Sequence, residues 1–258
     1  MKLPVVFLGH GSPMNAIAKN DFTKALAGLA KKLPKPQVIL SISAHWMTQG
    51  TFVTHMEQPK TIHDFQGFPK ALFEVQYPAP GSPKIADLLR QKISNPEILA
   101  DDGHWGLDHG TWSVLKHIYP AANIPVFQLS LDMTQPPDFH YNLGKKLAFL
   151  REHDVLIIGS GNIVHNLRAI NWNENAPAHH WAVEFDQWVK TKIDKWDFAP
   201  LVSQYLSSEA GKLSVPTPEH YYPLLYALGA TSEQDKVHYI YEGIQNASIS
   251  MRCIWFGF

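Results

Sequence analysis

Four short apolar runs constrain this chain more than anything else in its sequence. Val5–Leu8, Val38–Ile42, Val126–Leu131 and Val155–Ile158 are nearly continuous in apolar residues, and each is bounded by Gly, Pro or polar turn residues. Runs this short are strands rather than helices, and near-continuity in place of alternation marks strands covered on both faces. Weaker strand signals lie at Phe52–Met56, Val237–Tyr241 and Met251–Phe256. Apolar residues at helical spacing fall between them, over Phe22–Leu33, Trp112–Ile118, Phe139–Leu150 and Trp181–Trp196. Ser82-Pro83 and Thr217-Pro218 each supply a cap followed by a first-turn proline, predicting helices that run to about Ile93 and to near Gly229. Strands alternating with helices predict an α/β layer fold, with a central mixed or mostly parallel sheet flanked by helices. No repeat, low-complexity tract or linker-like shift interrupts the pattern, so residues 1–258 read as one domain. The segments 57–82 and 197–217, rich in Pro and Gly, are expected to be long loops walling a pocket.

Charge removes whole classes of partner. Lys and Arg number 22 against 23 Asp and Glu, a net charge of −1, with no basic block. Binding to nucleic acid or to a membrane surface depends on counter-charge, so neither partner is expected. The single cysteine, Cys253, excludes an internal disulfide framework, a Cys-ligated zinc site and a redox CxxC pair. The apolar stretch at the N-terminus is too short for a signal peptide, and no window approaches the ~20 apolar residues of a membrane helix. A cytoplasmic location is the expectation. Patterning shows no self-complementary stripe from which an oligomeric state could be read.

What stands out is histidine: 14 residues, more than the 9 Tyr or the 13 Phe. Histidine is the commonest metal ligand and the usual acid–base group near neutral pH, so placement matters. His10 follows the first strand in Gly9-His10-Gly11-Ser12-Pro13. His45 follows the second in Ser43-Ala44-His45-Trp46, and His165 follows the fourth, after Gly159-Ser160-Gly161-Asn162. His220 is expected in the first turn of the 218–228 helix. Ligands of open α/β sheets bind beyond the carboxyl ends of the strands, where three such histidines can converge. His109 lies among aromatics just before a helix, in Trp105-Gly106-Leu107-Asp108-His109-Gly110-Thr111-Trp112. His63 is intermediate, in a loop that could line the pocket, whereas His117, His140, His153, His179, His180 and His238 read as solvated. Trp46, Phe65, Trp105, Trp112 and Tyr221 are candidate walls for an aromatic ring. Competing motifs are missing: there is no third glycine for a dinucleotide fingerprint, no GxxxxGK[ST], no HExxH and no GxSxG.

The segments around His10, His45, His109, His165 and His220 together resemble the class III extradiol ring-cleavage dioxygenases, of the protocatechuate 4,5-dioxygenase type. Within that superfamily the chain is similar to the 4,5-DOPA dioxygenase extradiol family. The resemblance runs in order from about residue 5 to 250 and takes in Thr61-Ile62-His63-Asp64-Phe65 and Tyr77-Pro78-Ala79-Pro80-Gly81. It implies an enzyme that opens a catechol such as L-DOPA with O2 at one divalent metal. His10, His45 and His220 match metal ligands, His165 matches a fourth ligand or acid–base residue, and His109 matches a second acid–base residue. Many members of the wider superfamily use two histidines and a carboxylate. Here Glu219 adjoins His220, and neighbours on a helix point about 100° apart, so His220 is the ligand expected. An all-imidazole set suits Zn2+, while O2 chemistry calls for Fe(II), so the same residues also admit a zinc-dependent hydrolase or a non-catalytic metal-binding protein.

Overall fold

The computed structural model describes residues 2–258. Its strands are β1 (Val5–Gly9), β2 (Val38–Thr48), β3 (Thr51–Thr54), β4 (Ile98–Asp101), β5 (Val126–Asp132), β6 (Val155–Gly161), β7 (Lys236–Tyr241), β8 (Ile244–Gln245), β9 (Ile249–Ser250) and β10 (Cys253–Gly257). Its helices are α1 (Asp21–Leu29), α2 (Lys70–Phe73), α3 (Pro83–Lys92), α4 (His109–Ile118), α5 (Pro137–Leu147), α6 (His180–Asp194), α7 (Ala199–Ser203), α8 (Glu209–Ser214) and α9 (Tyr222–Gly229).

The four apolar runs become the centre of one mixed sheet, ordered β4-β3-β5-β2-β6-β1-β10-β7. The inner strands β5, β2, β6 and β1 are parallel to one another. Antiparallel pairings then close both flanks, β3 against β5 and β10 against β1 and β7. Near-continuous apolar sequence is explained by two cores. Val5, Phe7, Leu40 and Ile157 point into one, with α5, α6 and α9. Val6, Leu8, Ile39 and Ile158 point into the other, with α1 and α4. Successive side chains of a strand face opposite ways, so a strand with a core on each side needs apolar residues throughout.

Several expectations are corrected. β2 runs on to Thr48, six residues past the apolar run, and its register with β5 shifts between Ile42 and Met47. His45 therefore belongs to the strand, at an irregularity of the kind that re-aims side chains. The segment 197–217 carries α7 and α8, and 57–82 carries α2, so neither is one long loop. His220 lies in the turn before α9, which starts at Tyr222 with Pro223 in its first turn. His140 is buried, not solvated: its ring stacks on Tyr222 and its Nδ1 lies 3.2 Å from the Tyr226 hydroxyl.

Candidate metal centre

Three of the site's histidines leave the sheet at its carboxyl edge. His10 comes directly after β1, and its backbone N–H donates to the Gly161 carbonyl at 3.0 Å, tying the ends of β1 and β6 together. His165 follows β6 by a short loop, while His45 rises from the irregular part of β2. The turn carrying His220 closes onto β6 because Gly161 has no side chain; a Cβ there would lie 2.1 Å from the His220 carbonyl oxygen. His109 is the first residue of α4, whose N-terminus Asp108 caps by accepting the Thr111 N–H. The next residue, Gly110, leaves room for its neighbours, since a Cβ would come within 2.5 Å of Ser43 Oγ and 2.9 Å of the His45 ring.

Hydrogen bonds fix which nitrogen His10 and His109 offer. The Ser160 hydroxyl gives its hydrogen to the Gly110 carbonyl at 2.6 Å, so at 2.9 Å from His10 Nδ1 it accepts. His10 thus carries its proton on Nδ1, and Nε2 presents a lone pair. Asp64 does the same for His109, taking its Nδ1–H at 2.8 Å and its backbone N–H at 2.9 Å. The same carboxylate lies 3.5 Å from His45 Nδ1. Glu219 accepts from the Thr217 hydroxyl at 2.8 Å and lies 3.1 Å from His220 Nδ1. Outer partners of this kind orient metal-binding imidazoles.

The Nε2 atoms of His10 and His45 are 3.2 Å apart. Two nitrogens on one tetrahedral cation, each bonded at ~2.0–2.1 Å, are separated by about 3.3 Å. With the His10 lone pair aimed at its neighbour, a divalent cation fits the pair. One ligand atom each from His10, His45 and His109 lie within 4.8 Å of one another, and the same holds for His165, Glu219 and His220. The two groups adjoin, with the His220 ring 5.3 Å from His10 and 5.1 Å from His45, and His165 stacked on His220 at 3.5 Å. His109 adjoins the first pair, its ring 3.9 Å from that of His45 and 5.7 Å from that of His10.

Burial dominates the electrostatics. It holds the pKa values of His10, His45 and His220 well below the ordinary histidine range, and the neighbouring imidazoles push the same way. Burial, with His109 nearby, brings His165 down to about 4. Such rings are neutral at pH 7, the form that binds metal. Burial works to raise Asp64, but its hydrogen bonds and charge interactions with His109, together with His45, hold it below the usual carboxylate range. Asp108, fully buried and near Asp64, is pushed up.

All five selected histidines line one cavity of about 480 Å³. His63 does not join them, its Nε2 lying 2.9 Å from the Val75 carbonyl. The expected aromatic walls are elsewhere: Trp112 and Tyr221 are core, Trp46 stacks on Trp105, and Phe65 packs beside the His109 ring. Phe68 and Trp172 line the cavity instead. Asp64 and Ser160 went unremarked as site residues in the sequence, although each stands within two residues of a motif histidine or glycine.

Residues 4–252 match the family described as the catalytic LigB subunit of aromatic ring-opening dioxygenase. A protein of Escherichia coli K12 named 4,5-DOPA dioxygenase extradiol is 46% identical over 99% of this chain and 95% of its own length. One of the same name from Beta vulgaris is 38% identical over 91% of this chain and 89% of its own. A crystal structure of an uncharacterized Escherichia coli K12 protein superposes with a TM-score of 0.86 at 42% identity, covering 99% of this chain and 100% of that one.

Proposed function

The chain belongs to the family of catalytic LigB subunits of aromatic ring-opening dioxygenases and is an extradiol dioxygenase; from that premise we propose that it opens a catechol such as L-DOPA at the 4,5 bond with O2. The reading gives His10, His45 and His220 the metal, His165 a place as fourth ligand or proton carrier, and His109 a second acid–base role. Its main support is the facing pair of Nε2 atoms of His10 and His45, 3.2 Å apart, with the His10 proton held on Nδ1. Fe(II), when bound, supplies both the positive charge that acidifies catechol hydroxyls and electrons for O2, whereas Zn2+ supplies only the charge.

The protein's own part is to manage protons. His165 makes no side-chain hydrogen bond among the described residues, and its ring, which burial keeps neutral with a pKa of about 4, can accept a hydrogen bond from a catechol hydroxyl in the cavity it lines. His109 gives its Nδ1–H to Asp64, which leaves Nε2 as an acceptor, and the Asp64 carboxylate balances the charge when that nitrogen takes a proton. The held proton returns as the carbon–carbon bond outside the diol breaks. Phe68 and Ile249 give the cavity apolar wall beside the imidazoles.

The test is anaerobic loading of metal-free protein with Fe(II), addition of L-DOPA and then of O2. A yellow ring-opened product is expected, and none with Zn2+ in place of iron. His10→Ala and His45→Ala should each lose the metal on gel filtration, read by elemental analysis. Iron-loaded protein that turns over no catechol would end the proposal.

A further inference from the structure

The cavity changes character from its floor to its mouth. Five imidazoles make the floor; outward the lining is largely Phe68, Leu167, Ile170 and Trp172, with Ser12 and Gln66 adding neutral polar groups. No Lys, Arg, Asp or Glu lines it among the described residues. The nearby carboxylates are already engaged, Asp64 by His109 and Glu219 by Thr217 and His220. An ammonium or carboxylate brought against such a wall would lose water and meet no opposite charge in the lining, Arg168 of the same segment standing outside it.

Trp172 is 84% exposed and Leu167 58% exposed, the two largest exposures among apolar side chains that line this cavity. Exposed apolar groups gathered at a cavity mouth mark a surface that a ligand covers. The segment bearing them is fastened at several points. Asn166 accepts the Arg168 N–H and donates to the Leu213 carbonyl at 2.8 Å, while Asn171 and Asn246 exchange two hydrogen bonds at 2.9 and 2.8 Å. The indole is thus presented to solvent on anchored backbone. The volume of about 480 Å³ leaves room for a ring and a substituent beyond it.

We propose that this mouth selects catechols by an uncharged, apolar ring substituent, stacked on Trp172 and flanked by Leu167 and Ile170, in preference to the charged amino-acid group of L-DOPA. The proposal rests on the catechol-opening reading of the same site. Trp172 is its specificity-determining residue. Each methylene added to the substituent should tighten binding roughly fourfold, until the mouth is filled.

The experiment compares catechol, 4-methylcatechol, 4-propylcatechol and L-DOPA. Iron-loaded protein gives kcat/KM for each, and calorimetry on zinc-loaded protein gives binding without turnover. Expected is a rise along the apolar series, with 4-propylcatechol at least tenfold better than L-DOPA by both measures. In Trp172→Ala the preference for 4-propylcatechol over catechol should fall about tenfold, carried mainly by KM and by the calorimetric affinity. L-DOPA equal to or better than 4-propylcatechol, or a Trp172→Ala change that leaves the preference intact, overturns the inference. If binding rises along the series while no catechol is opened, the selectivity holds and the proposed reaction is what fails.

Discussion

Asp64 is one carboxylate serving two imidazoles. It takes both the ring and the backbone N–H of His109 and lies 3.5 Å from His45 Nδ1. Asp64→Asn keeps the shape and removes the charge, so His109 loses the carboxylate that holds its Nδ1–H and His45 loses a nearby counter-charge. A 10–100-fold loss of metal affinity is expected from that exchange, measured by competition with a chelator; an unchanged affinity would detach Asp64 from the site. The four histidines after strands or in the Pro-rich turn were legible because each follows a recognisable punctuation of glycines, prolines and apolar residues. Asp64 was not, because its partner His109 lies 45 residues away and nothing local marks a loop carboxylate as bound. Trp172 was missed for a related reason: an aromatic within a polar stretch of Asn residues carries no periodicity.

Elements meet around this site through contacts that tolerate no added atom. Gly161 ends β6 against the turn that carries His220, where a Cβ would lie 2.1 Å from backbone oxygen. Backbone cannot rotate aside as a side chain can, so Gly161→Ala should cost about 1–3 kcal/mol in urea unfolding and also weaken metal retention. A normal metal content in that variant would show that the turn is adjustable. Farther off, Arg151 and Asp235 form a fully buried ion pair with hydrogen bonds of 2.7 Å, and Arg151 also donates to the Leu3 and Ala230 carbonyls. Asp235→Ala leaves the guanidinium without its counter-charge and should destabilise by about 3–5 kcal/mol, whereas Arg151→Met with Asp235→Leu should recover part of that loss. The central strands were readable because burial on both faces writes itself as continuous apolar sequence. β4, α7 and α8 were not, being short elements whose order comes from packing.

Across the whole molecule, acid should loosen the metal-free fold in a definite window. His10, His45, His140, His165 and His220 all have folded pKa values below 6.5, burial being the first cause in each, with His140 and His165 at about 4. Above pH ~6.5 they are neutral whether folded or not and contribute no pH dependence. Below it the unfolded chain binds protons that the folded chain refuses, so stability falls as pH drops toward 4. His55, held high by Asp102 and Asp87, opposes this as a single residue. The urea midpoint of metal-free protein should be level from pH 8 to 7 and decline steeply below 6.5; a midpoint that rises on acidification would contradict the burial. Composition and periodicity act along the chain and predict the layered α/β order with a mixed or mostly parallel sheet, whereas which strands close its flanks, β10 beside β1, is set by packing.

That closure has a consequence for how the protein is made. His10 is translated well before the turn bearing His220 and before β10, the strand that braces β1. A growing chain therefore cannot bring His220 to His10 and His45 until the turn before α9 has been made, and fragments ending before residue 220 should bind a divalent metal less tightly than the whole chain. On the proposed ligand set, metal loading waits for that late turn, by which stage β1, β2 and β6, beside which the other ligands stand, already exist.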